Sequence, residues 1–119
     1  MSKNHELGEL GEQLALKLLV EKGYSILHTN WRFRKDEVDI IAKNDQYLII
    51  VEVKTRSTNY FGEPFSAVTK KKQGFLIRAA NAYIEEHAIT LECRFDIVSI
   101  VIDGSNKHVE HIEDAFYPE

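Results

Sequence analysis

Val38-Asp39-Ile40-Ile41-Ala42-Lys43-Asn44-Asp45-Gln46-Tyr47-Leu48-Ile49-Ile50-Val51-Glu52-Val53-Lys54 is the stretch that decides the fold. Two apolar runs flank Asn44-Asp45-Gln46, residue types that favour tight turns, and the segment therefore predicts a β-hairpin. A two-residue loop at Asp45 and Gln46 pairs Asn44 with Tyr47. Counting outward from that pair sets Asp39 directly across the ladder from Glu52, with β-carbons about 4.5 to 5.5 Å apart, and Glu37 across from Lys54. Any loop of even length keeps Asp39 and Glu52 on one face, whereas an odd loop or a bulge separates them. Glu52 and Lys54, two residues apart on a strand, share that face as well.

Carboxylates placed opposite one another repel, and ionised groups on a half-buried strand need a partner. A bound cation or a proton meets both needs. Ligation by oxygen alone suits a hard divalent ion, with Mg²⁺ or Mn²⁺ as the candidates. The plainer alternative is a cross-strand ion-pair patch of Glu52 and Lys54 on a solvated face, worth roughly 0 to 1 kcal/mol.

Working outward, Leu7, Leu10, Leu14 and Leu18, widened by Ala15 and Leu19, recur at a helical period and predict a helix from Leu7 to Glu21 that Gly23 ends. Tyr24 to Phe33 reads as a first strand, Glu37 to Lys43 as a second and Tyr47 to Arg56 as a third. A loop containing Asn59, Gly62 and Pro64 leads to a second helix, starting near Ser66 to Thr69 and running to about His87, with Phe75, Leu76, Ala79, Ala80 and Tyr83 on its buried side. Phe95 to Ile102 reads as a fourth strand and Lys107 to Ile112 as a short fifth. The order α-β-β-β-α-β-β predicts one α/β sheet domain.

At 119 residues, 44% hydrophobic and 29% charged, the chain has the size and balance of a single globular domain over 1–119, with its core at about 7–116. No apolar run approaches the roughly 18 residues of a membrane span. Met1-Ser2-Lys3-Asn4-His5 lacks the apolar region of a secretory signal, so the expected compartment is the cytoplasm. The net charge of −4 argues against coating nucleic acid by bulk charge. Its distribution is uneven. Arg32, Arg34, Lys35, Lys54, Arg56, Lys70, Lys71 and Lys72 cluster mid-chain, as a basic rim around an acidic pocket would, or as mixed surface charge would. Cys93 stands alone in a strand and reads as a small core residue.

On the first helix Glu12 projects about 20° from Leu19, at the margin of the apolar stripe, while Glu9 lies farther round. Glu12 is thus the acid better placed to lean over the sheet, unless it is an ordinary surface glutamate. On the second helix Lys72 falls within about 20° of Tyr83 and Ala79. A lysine there either covers core edge with its stem or reaches an anion such as phosphate, with Gln73 beside it. Trp31, Arg32, Phe33 and Arg34 interleave aromatic and basic side chains, as on nucleic-acid surfaces, although strand aromatics are commonly core. His5, His28, His87, His108 and His111 show no ligand spacing, and His108 and His111 are expected at the surface.

Glu12, Asp39, Glu52 and Lys54 together are the parts that phosphodiester hydrolysis needs: acids to hold a cation and a lysine to orient water or stabilise charge. They resemble the PD-(D/E)xK nuclease superfamily, whose signature is an acid ending one strand and Glu-x-Lys on the next. The chain from Gly8 to Phe116 is similar to the YraN-like family of small bacterial proteins, which are themselves similar to archaeal Holliday junction resolvases. The resemblance rests on Gly8-Glu9-Leu10-Gly11-Glu12, Asn30, Glu37-Val38-Asp39, Glu52-Val53-Lys54-Thr55-Arg56, Phe61-Gly62, Val68-Thr69, Lys72-Gln73, Arg94-Phe95-Asp96 and Ala115-Phe116. Val38 stands where the superfamily name has proline, and Asp36 where the close family usually has glycine.

The resemblance implies a restriction-endonuclease-like fold, a mixed five-stranded sheet flanked by helices. It implies metal ligation by Asp39 and Glu52 with help from Glu12, a catalytic Lys54, and phosphate contact from Lys72. The implied activity is a Mg²⁺- or Mn²⁺-dependent endonuclease acting on branched or otherwise structured DNA, in repair or recombination. Arg32, Arg34, Arg56 and Gln73 join Lys72 as candidate nucleic-acid contacts. A symmetric substrate would be cut most simply by a two-fold homodimer. The alternative is a DNA-binding or repair-complex adaptor that keeps the carboxylates without useful turnover.

Overall fold

The computed structural model describes residues 3–57 and 68–118. The Asn59, Gly62 and Pro64 loop, the Phe61-Gly62 motif and Ser66 lie outside the described residues. The elements run α1 (Lys3–Glu21), β1 (Ser25–Phe33), β2 (Asp36–Lys43), β3 (Tyr47–Ser57), α2 (Lys70–Glu86), β4 (Glu92–Asp103) and β5 (Asn106–Phe116), in the order expected. They form a mixed sheet ordered β1-β2-β3-β4-β5. β1, β2 and β3 are an antiparallel meander, β3 and β4 are parallel, and β4 and β5 are antiparallel. The parallel step requires a crossover, which α2 supplies.

β3 is central and covered on both faces, which is why Leu48 to Val51 is a continuous apolar run and not an alternating one. Ile49 and Val51 pack with Ile40, Ala42, Val98 and Ile100 under Ala15 and Leu19 of α1. Leu48 and Ile50 pack with Ile41, Phe95 and Ile97 under Leu76, Ala79, Ala80 and Tyr83 of α2. No helix among the described residues is long and apolar enough to cross a membrane.

The hairpin forms as counted. Asn44 N–H donates to Tyr47 O at 3.0 Å, and Ile40 to Lys43 pair with Val51 to Leu48. Asn44 Oδ1 accepts from the backbone N–H of Gln46 at 2.9 Å and of Tyr47 at 2.7 Å, which locks the turn. Beyond Ile40 and Val51 the β2–β3 backbone pairing stops. The expected Glu37–Lys54 pair therefore does not form in the ladder, and Glu37 keeps only its β1 partner, Arg32.

Other boundaries move for physical reasons. α1 begins at Lys3 and not Leu7, because a polar first turn leaves no mark on the apolar period. Its buried line is Gly11, Ala15 and Leu19, while Leu10 is 40% exposed. α2 starts at Lys70, where Thr69 caps the helix by accepting from Lys72 N–H. β4 starts earlier than expected and β5 reaches Phe116 instead of ending at Ile112, because backbone pairing extends strands through polar sequence that lacks strand periodicity.

A buried ionic network holds β5 in place. Asp96, 1% exposed, accepts from Arg94 Nε and Nη2, each at 2.9 Å, and from Asp114 N–H at 3.0 Å. His111, expected at the surface, is instead buried with its side chain 2% exposed, and its Nε2 lies 2.7 Å from Asp96 Oδ2. Lys22 Nζ approaches His111 Nδ1 at 2.8 Å, and an ammonium can only donate. The proton therefore sits on Nε2, which donates to Asp96. The sequence missed this because a histidine on an edge strand looks solvated until its carboxylate partner, fifteen residues away, is placed beneath it.

Candidate functional site

Where β2 and β3 stop pairing, the Asp39 side chain takes over from the backbone. Its Oδ2 accepts the Val53 N–H at 2.8 Å, closing the gap between the diverging strands. Glu52 lies across from Asp39, 3% exposed, and the two carboxyl groups are in hydrogen-bonding contact. Glu52 Oε1 is buried with no donor in reach among the described residues. If both carboxyls are ionised, two acceptors face each other with nothing between them. A proton or a cation resolves that conflict.

The electrostatics point the same way. Burial, then the charge and hydrogen bond of Asp39, push Glu52 up to about 8. Burial likewise raises Asp39, against the opposing pull of the Val53 N–H. The pair behaves as one site that keeps a proton into the neutral range. Two ammonium groups stand at its edge, Lys54 Nζ and Lys72 Nζ, each 3.9 Å from Glu52 Oε2. Glu52 and Lys54 thus share a face, as their spacing requires, with Lys54 34% exposed at the opening.

Glu12 reaches the same place from α1. Gly11 packs so tightly on β3 that a β-carbon there would overlap Thr55 Oγ1, and this close approach brings the next residue over the sheet. Glu12, Asp39, Lys54 and Thr55 line one cleft of about 490 Å³, with the exposed Glu9 on its rim. Asn30 lies opposite Asp39 in the β1–β2 register, has a left-handed backbone (φ +49°), and hydrogen-bonds Glu12. Burial and the charge of Asp39 raise the pKa of Glu12. Among the described residues no three acid, histidine or cysteine side chains form a ready-made cation cage. A pair of carboxylates with a third acid across a cleft matches how Mg²⁺ is commonly held, through one or two carboxylates, waters and substrate phosphate. The donor set fits such an ion at Asp39 and Glu52.

The proposed nucleic-acid contacts are less uniform. Lys72 sits at the site, but its Nζ donates to Asp36 Oδ2 at 2.9 Å and lies 4.9 Å from the Phe75 ring centroid. Burial disfavours its charge, and the Asp36 hydrogen bond with nearby Glu52 and Asp39 outweighs that, raising its pKa. Gln73 Nε2 donates to Val68 O at 3.0 Å, so its amide ties down the start of α2. Arg34 is exposed in the β1–β2 turn, its guanidinium 5.2 Å from the Phe33 centroid. Arg32 is exposed on β1, and Arg56 is half-buried on the Glu52–Lys54 face of β3. Trp31 and Phe33 are half-buried, stack on each other at 6.1 Å, and pack against the core, as strand aromatics commonly do. Cys93 is half-buried and its thiol is pushed up to about 12 by burial, as suits a packing residue.

Asn30 and Asp36 are the site neighbours to which sequence reasoning assigned no role. Gly11, three residues after Gly8 in a Gly-x-x-Gly spacing, was the available sign of a close helix–sheet contact.

The family model described as "Uncharacterised protein family UPF0102" matches residues 11–100, a span holding Glu12, Asp39, Glu52, Lys54 and Lys72. A UPF0102 protein of Flavobacterium psychrophilum is 46% identical over 117 residues, covering 98% of both chains. One from Christiangramia forsetii is 47% identical over 117 residues, again 98% of each. One from Phocaeicola vulgatus is 44% identical over 118 residues, 99% of this chain and 98% of its own.

Proposed function

The chain belongs to the uncharacterised protein family UPF0102, and we propose that it is a metal-dependent endonuclease of the PD-(D/E)xK type that hydrolyses phosphodiester bonds in DNA. The observation that carries this reading is the buried Glu52 oxygen without a donor among the described residues, set against Asp39 and flanked by two ammonium groups. An acid pair that repels itself, meets a cleft at Asp39, and carries its own cations is suited to holding Mg²⁺ or Mn²⁺ against a phosphate.

When bound, the divalent cation supplies Lewis acidity at the phosphate and lowers the pKa of a water. Asp39 and Glu52 hold it. Lys54, at the cleft opening, orients the attacking water or stabilises charge as it develops on the phosphate. Glu12, its proton affinity raised across the same cleft, is suited to accept a proton from that water. Lys72 contacts the neighbouring phosphate. DNA with branched or irregular structure is the substrate this reading takes from its resemblance, the cytoplasm its compartment, and a two-fold pair of subunits its simplest assembly on a symmetric junction.

The test is cleavage of plasmid, single-stranded and four-way-junction DNA with Mg²⁺ and with Mn²⁺. Wild type should cut at least one of these and Asp39→Ala none. Equal behaviour of the two proteins on every substrate removes catalysis by this site.

A second reading, a DNA-binding adaptor without turnover, draws on the absence of a three-ligand cage among the described residues and on a Glu52 that keeps its proton to about 8. Calorimetric titration with Mn²⁺ separates the two. Uptake that is lost in Glu52→Gln supports the nuclease, and no uptake at any concentration supports the adaptor.

A further inference from the structure

Beside the acid pair lies a second groove, of about 650 Å³, between the β1–β2 turn and the first turns of α2. Among the described residues, Arg34, Lys35, Lys71, Lys72 and Arg78 line it and Asp36 is the one acid. Five cations against one anion stand out in a chain whose net charge is −4. Arg34, Lys35, Lys71 and Arg78 are all exposed. Arg78 folds back along the helix, because a β-carbon on Gly74 would come within 3.3 Å of its Nη1. The groove joins the acid pair through Lys72, whose Nζ is 2.9 Å from Asp36 and 3.9 Å from Glu52.

Asp36 is 53% exposed at the rim, so its carboxylate can swing into solvent. Its Oδ2 takes the Lys72 ammonium while Oδ1 accepts the Glu37 N–H at 2.7 Å. An anionic oxygen held by a groove lysine is the arrangement a backbone phosphate would make. We propose that Asp36 is an internal stand-in for a DNA phosphate: it holds Lys72 across the mouth of the basic groove, and a DNA strand displaces it on its way to Asp39 and Glu52. This rests on the nuclease reading for what the strand approaches, but the gate itself is a matter of binding.

An exposed ion pair is weak enough to be exchanged. Lys72 keeps a partner either way, so it never stands as an uncompensated cation beside the core. The gate sets a threshold. A strand whose phosphates also engage Arg34, Lys35, Lys71 and Arg78 displaces Asp36, whereas an isolated phosphate gains too little.

The test measures binding of a short fluorescein-labelled DNA duplex by anisotropy, at low salt with EDTA, so cleavage plays no part. Wild type, Asp36→Asn, Lys72→Met and the double variant are compared. Asparagine keeps the acceptor for Glu37 N–H, methionine keeps a chain of similar length without the charge, and Asp36→Ser serves as a second probe of the gate. Asp36→Asn should tighten binding roughly two- to five-fold. Lys72→Met should weaken it, and the double variant should match Lys72→Met alone. Unlabelled mononucleotide at equal phosphate concentration should compete poorly. The gate is overturned if Asp36→Asn and Asp36→Ser bind like wild type or if the tightening survives intact without Lys72. It is equally overturned if mononucleotide competes as well as duplex, or if no variant binds DNA. An inactive protein that shows the coupled tightening would retain the gate and discard the nuclease.

Discussion

Stability should fall as pH rises through the neutral range, and the Asp39–Glu52 pair should be the cause. The pKa of Glu52 is raised in the folded chain from 4.5 to about 8. A carboxyl that binds its proton more tightly when folded favours folding fully below its unfolded pKa. That contribution drains away as pH climbs toward the folded value. Asp39, also raised by burial, acts in the same direction. At about 1.36 kcal/mol per pKa unit, Glu52 sets a ceiling of roughly 5 kcal/mol between pH 4.5 and 8. That shift already includes the opposing pull of Lys54 and Lys72, and local relaxation will lower the measured figure further. The groups whose pKa is depressed, Asp36 and Asp96, stabilise above their unfolded value near 3.8 and lose that effect in acid, a separate window. Urea unfolding of the metal-free protein at intervals from pH 5 to pH 8.5 should show a steady loss of a few kcal/mol. Glu52→Gln, which mimics the protonated carboxyl, should keep only the shallower slope that the raised Asp39 contributes. Mn²⁺ should restore stability most at the alkaline end, where the pair is ionised, because it binds the folded state alone. A wild-type profile that is level from pH 5 to pH 8.5, or a slope in Glu52→Gln as steep as that of wild type, would refute the buried-pair argument.

Two further outcomes test the frame around the site. Gly8 and Gly11 both lie inside α1, but a β-carbon at Gly8 meets nothing within 4 Å, whereas one at Gly11 overlaps Thr55. Gly8→Ala should therefore stabilise by about 0.5 to 1 kcal/mol through helix propensity, and Gly11→Ala should destabilise by about 1 to 3 kcal/mol. Equal shifts in urea midpoint for the two would contradict the close contact. Asp96→Asn should cost about 3 to 5 kcal/mol, since it strands Arg94 in a buried network; a thermal midpoint within a degree or two of wild type would show the network to be dispensable.

The hairpin illustrates what can be read from sequence. Strand alternation and loop length are local properties, so the two-residue turn at Asp45 and Gln46 fixes the register from Lys43–Leu48 to Ile40–Val51, and the Asp39 and Glu52 carboxyls meet just past its end. The apolar side of α2 is legible for the same reason, because a period of 3.6 depends only on near neighbours. Glu12 and Lys72 are intermediate cases. Their helix faces could be projected, but their reach over the sheet needed the packing of each helix.

Chain chemistry alone thus determined the order of elements, the β2–β3 register, the shared face of Glu52 and Lys54, and the buried side of α2. Tertiary structure alone decided that backbone pairing stops at Ile40 and Val51, leaving the Asp39 carboxylate to hold Val53. It also decided that Lys72 meets Asp36 from 36 residues away, and that His111 is buried on Asp96. The division has one physical reason. Periodicity and turns are set by bonds along the chain. Which charge ends beside which depends on how sheet and helices pack, and that is settled by the summed burial of residues far from the charges themselves.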